Sequence, residues 1–76
     1  MNNTRRKQIN NIIEQTKSIQ SNIEEIRIDE ETALDNMPEN LKESDRAFSS
    51  QEAIDNLDLA YGTCDELIDY LTESVA

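Results

Sequence analysis

Seventy-six residues allow one small domain with a thin core, and only 36% of them are hydrophobic, with one Phe, two Tyr and no Trp. A formal net charge of −10 repels nucleic acid and anionic membrane surfaces and favours basic protein surfaces. The absence of histidine, with Cys64 as the single cysteine, removes the usual zinc sites, Cys/His catalysis and any internal disulfide, so no cofactor or metal is expected.

The N-terminal stretch MNNTRRKQINNIIEQ has basic residues without an apolar run behind them, so no signal peptide is expected. No stretch approaches the roughly 18 apolar residues of a membrane span. A lone thiol also suits a reducing compartment, so a cytoplasmic setting is expected. One Gly and one Pro leave little turn chemistry, which predicts few and long helices.

From Ile9 onward, apolar residues recur in steps of three and four: Ile9, Ile12, Thr16, Ile19, Ile23, Ile26, Glu30, Ala33 and Met37, with Thr16 and Glu30 as the polar members. That spacing predicts a first helix over about residues 4–36 with one dry stripe, widened by Ile13 and Leu34. Asn2, Asn3 or Thr4 can cap its start. Glu30 in this stripe either reaches water where the seam opens or pairs with Arg46 or Lys42.

The only proline, Pro38, pushes Met37 out of the helical region and should end the first helix. Asn36 can cap a short turn through Pro38 and Glu39, and Leu41 and Phe48 are expected to fold back over the tip. The acids and amides of LDNMPENLKES do not form a calcium loop. Counted from Asp35, the third position is Met37, the sixth is Asn40 and the twelfth is Arg46. A connector over about residues 37–48 is expected.

Ser49-Ser50-Gln51-Glu52 reads as a capping box opening a second helix over about residues 49–75. Its stripe is Ile54, Leu57, Tyr61, Cys64, Ile68, Leu71 and Val75, flanked by Ala53, Ala60 and Leu67. The predicted architecture is one all-α domain over residues 1–76, an antiparallel helical hairpin. Two helices alone cover only one stripe each, so a homodimer forming a four-helix bundle is expected. Its self-association seam would be Ile12, Ile19, Ile23 and Ile26 with Ile54, Leu57, Tyr61, Cys64, Ile68 and Leu71.

Charge is divided unevenly. Residues 1–46 carry ten acids and seven bases, whereas residues 47–76 carry seven acids and no base. Of these seven, Glu52 opens the helix and Asp55, Asp58, Asp65, Glu66, Asp69 and Glu73 form a ridge away from the seam. Like charges stacked four residues apart cost a helix a few tenths of a kcal/mol each. Two readings stay open: a solvated face that maintains solubility, or a one-signed surface that recruits a basic protein and mimics nucleic-acid phosphates.

Leu59 and Tyr70 fall off the stripe and, beside these acids, form a second candidate contact patch. Gly62, inside a helix, marks either fraying or close approach of another helix. Cys64 reads as a small core hydrophobe, with no neighbouring base to activate it. A thin hairpin offers no cleft to desolvate paired carboxylates, so catalysis is not expected.

The segment EEIRIDEETALDNMPENLKES followed by SSQEAIDNLDLAYGTCDELIDYL resembles a type of small acidic helical-hairpin protein from phages and mobile elements of Gram-positive bacteria. The likeness runs from about residue 12, with DNMPENL its most specific part, and carries no assigned residues. It implies a viral inhibitor that disables a host protein by stoichiometric binding, such as a CRISPR effector or another defence protein. A structural, assembly or regulatory subunit and an antitoxin are the rival implications.

Overall fold

A computed structural model describes all residues, 1–76, as two long antiparallel helices and a short connector, with no strand. Helix α1 spans Asn3–Asp35 and helix α2 spans Asp45–Val75. The molecule is a rod of 59 × 14 × 13 Å measured on Cα atoms. Its radius of gyration is 17.3 Å, against about 11 Å for a compact domain of this length. No helix is long and apolar enough to cross a membrane.

The ends of α1 follow local chemistry. Asn2 accepts a hydrogen bond from the Arg5 amide at 2.9 Å, satisfying one of the unpaired first-turn donors. At the other end, the Asn36 amide donates to the Thr32 carbonyl at 3.0 Å and the Met37 amide to Leu34 at 3.1 Å. Pro38 then sits at φ −54° and ψ 142°, an extended conformation that stops the helix. Asn36 closes α1 and does not cap the next turn. The single 3-10 turn, Glu39–Leu41, is preceded by Pro38 with no side-chain cap.

The start of α2 differs from the expected capping box. The cap is Ser44, whose hydroxyl accepts from the Ala47 amide at 3.3 Å, and Ser49 lies inside the helix. Asp45 occupies the first turn, where the positive end of the helix dipole favours an acid. Nothing between Asp45 and Phe48 breaks a helix, so the earlier cap wins and α2 gains a turn. The connector shrinks accordingly to residues 36–44.

The packing seam of α2 is the expected stripe, lengthened by that turn: Ala47, Ser50, Ile54, Leu57, Tyr61, Cys64, Ile68, Leu71 and Val75 are all buried or half-buried. In α1 the seam is rotated. The covered residues are Ile9, Ile13, Thr16, Gln20, Ile23, Arg27, Glu30, Leu34 and Met37. Every second member of the expected stripe is therefore displaced by one residue. Ile12, Ile19 and Ile26, expected in the seam, are 44%, 54% and 57% exposed.

The core that results is thin and partly polar. Five residues are buried: Ile13, Ala47 and Ile54 with Thr16 and Gln20. Thr16 satisfies its hydroxyl by donating to the Ile12 carbonyl at 2.7 Å. The Gln20 amide crosses to α2, donating to the Tyr61 carbonyl at 3.1 Å and to Asp65 Oδ1 at 2.7 Å. Glu30 takes a hydrogen bond from the Ser50 hydroxyl, so neither Arg46 nor Lys42 is its partner; Lys42 pairs instead with Glu39 at 3.4 Å. At the tip, Leu41 lines a shallow cleft with Met37, but Phe48 points outward at 63% exposure and does not close it.

Candidate functional site

With core positions lettered by heptad, Ile13, Gln20, Arg27 and Leu34 take position a of α1 and Ile9, Thr16, Ile23, Glu30 and Met37 take d. In α2, Ala47, Ile54, Tyr61, Ile68 and Val75 take a, and Ser50, Leu57, Cys64 and Leu71 take d. In an antiparallel pair the e positions of both helices share one side of the seam and the g positions share the other. The molecule shows both pairings. One groove brings together Glu24, Arg27, Asp58 and Tyr61 on the e side. The tip cleft brings Ala33 and Arg46, both g residues, together on the opposite side.

The e side is bound up in contacts within the hairpin. Arg27 Nε lies 3.2 Å from Asp58 Oδ1 and its Nη1 lies 2.7 Å from Glu31 Oε2. Asp65 receives the Gln20 amide as above. Two members of the expected acidic ridge, Asp58 and Asp65, thus serve to register α1 against α2. Exposed ion pairs such as these contribute about 0–1 kcal/mol apiece. Their larger effect is alignment, because a slipped register would leave Gln20 and Arg27 facing apolar residues.

The outer side of α2 carries the other acids. Asp55 and Asp69 take b, while Glu52, Glu66 and Glu73 take f, and all are exposed. Asp55 accepts from the Gln51 amide at 2.9 Å. No cation pairs with any of these five, since the ion pairs of the chain are Lys17–Glu14, Arg27–Glu31, Arg27–Asp58 and Lys42–Glu39. This leaves a rigid strip of negative charge along one side of a rod, with no basic residue after Arg46.

Leu59 and Tyr70 are both exposed, at 69% and 76%. Leu59 takes f among the acids and Tyr70 takes the neighbouring c position on the same outer side of α2, eleven residues on, which is about 16 Å along the axis. Sequence reasoning missed Gln20 and Arg27, the polar residues that cross between helices. Their signal was present: they continue at sevenfold spacing the line of Ile13 and Leu34. No three acids or thiols gather in a geometry that could hold a metal ion. No family model, curated protein or solved structure matches the chain. The chemistry of its own faces is what its function must rest on.

Proposed function

We propose that the chain is a non-catalytic binding module that presents the acidic outer strip of α2 to a basic surface of another protein. One observation carries this reading: Glu52, Asp55, Glu66, Asp69 and Glu73 stand exposed on one side of a straight helix with no cation paired to any of them. Surfaces that serve solubility alone mix both signs of charge. A strip of one sign raises the encounter rate with an oppositely charged partner and rejects nucleic acid and other acidic surfaces. Carboxylates on a rigid rod also suit a groove built for a phosphate backbone, so the partner is a nucleic-acid-binding type of protein. The resemblance to small acidic phage proteins supports a host target, such as a CRISPR effector or another defence protein, inhibited by occupation of that groove.

The test is capture and function together. The tagged chain should retain a basic host protein from lysate at low salt and release it as salt rises. Reversal of Glu66, Asp69 and Glu73 to lysine should abolish retention, and the wild-type chain should restore phage plating on a strain carrying the targeted defence. Retention that ignores salt and charge reversal, or capture of phage structural proteins alone with no effect on plating, would instead indicate an assembly subunit. Selective rescue from a co-expressed toxin would indicate an antitoxin.

A further inference from the structure

A helix that faces one neighbour needs an apolar stripe at a and d only, whereas a helix facing two neighbours needs a wider sector. In α1 the g, d and a positions together span about 100° of the circumference. Helix α2 covers the a and d part of that sector and leaves the g edge open. Ile12, Ile19 and Ile26 form that edge, each roughly half exposed. On the same side of the hairpin α2 presents its own g edge: Ala53, Ala60 and Leu67. The c positions just beyond are polar but nearly uncharged, with Asp29 the only acid among them between residues 8 and 29 of α1 and none in α2. One long side of the rod is therefore a continuous apolar face with a polar border.

We infer that this face docks a second copy of the same chain, forming an antiparallel four-helix bundle. Area is the first argument. The chain exposes 5766 Å², whereas a compact monomer of 8.7 kDa exposes about 4,700 Å². The excess of about 1,000 Å² per chain matches what one partner buries in a standard interface, about 800 Å².

Charge is the second argument. Two chains of net charge −10 repel wherever their b, e or f acids meet, and the c and g face is the one long surface where they approach without opposing those acids. Shape is the third. A two-fold axis parallel to the helices lays the isoleucine edge of α1 against the alanine-bearing edge of the mate's α2. Large residues then fill the space beside small ones, and every helix runs antiparallel to both neighbours. The acidic strip of each α2 stays on the outside, so the inference stands independently of what that strip binds.

Light scattering after size-exclusion chromatography tests this on the full chain from micromolar to millimolar concentration. The wild type is expected at twice 8.7 kDa, dissociating on dilution. The pair Ile19→Glu and Ile26→Glu should raise the dimer dissociation constant about 100-fold or more, because it places charges at the centre of the interface. If that variant also loses helicity, the milder Ile19→Ala and Ile26→Ala pair decides: it keeps helix propensity and should still weaken the dimer at least about tenfold. Phe48→Glu, at an exposed b position outside the face, should leave the dimer intact. A wild-type monomer at every concentration, an assembly larger than two copies, or a dimer unmoved by the alanine pair would each overturn the inference.

Discussion

Gly62 is the residue whose sequence context and surroundings diverge most. It lies in the interior of α2, where glycine costs a helix about 0.5–1 kcal/mol relative to alanine through backbone freedom lost on folding. Such a position invites the idea that another helix comes close. A Cβ added there meets nothing within 4 Å, and its b position places it away from the apolar face. Gly62→Ala should therefore raise the unfolding free energy by about 0.5–1 kcal/mol in urea titrations followed by circular dichroism, and leave the oligomeric mass unchanged. A loss of stability would mean that a neighbour occupies the space beside it. Glu30 teaches a related point: an acid in a seam need not find a cation when a serine hydroxyl, here Ser50, faces it from the next helix.

At the scale of the element, both helix ends follow capping chemistry, but α2 shows that a correct motif can lose to an earlier one. Ser44 and Ser49 both suit a helix start by type, and only Ser44 accepts a first-turn amide. Ser44→Ala should cost about 1 kcal/mol of stability, whereas Ser49→Ala, inside the helix, should change the denaturation midpoint little. Equal effects of the two substitutions would place the start of α2 elsewhere. The rotation of the α1 seam is a larger departure. Steps of three and four locate an apolar sector only to within one neighbouring position around the helix, about 50°. Ile12 and Ile13, or Ile19 and Gln20, both satisfy that rhythm, so which line faces α2 is decided by the partner's side chains. Gln20 and Arg27 turn inward because Asp65 and Asp58 stand opposite them.

For the whole molecule, net charge and shape set the conditions of stability. Ten uncompensated negative charges on a rod 59 Å long repel one another in the folded state and again on association. Raising salt from low to moderate concentration shortens the screening length from about 30 Å to about 10 Å. The melting temperature should therefore rise over that range, even as the Arg27–Asp58 pair weakens. A melting temperature that fell with salt would mean that the ion pairs outweigh the acidic repulsion. The same screening should tighten self-association through the apolar face while loosening any contact made by the acidic strip. Salt thus separates the two surfaces in a single experiment.

By itself the sequence determined that this chain forms two long helices joined near Pro38, that α2 packs through Ile54, Leu57, Tyr61, Cys64, Ile68 and Leu71, and that its acids lie off that seam. These features depend on local propensity, on one proline and on periodicity within a single helix, all of which are written in neighbouring residues. Only the tertiary structure decided which edge of the α1 sector is covered, and that Asp58 and Asp65 are engaged by Arg27 and Gln20. Each of those depends on the rotation of one helix about its axis against the other. Rotation is fixed by pairs of side chains 20 to 45 residues apart, and a periodic pattern within one helix does not encode it.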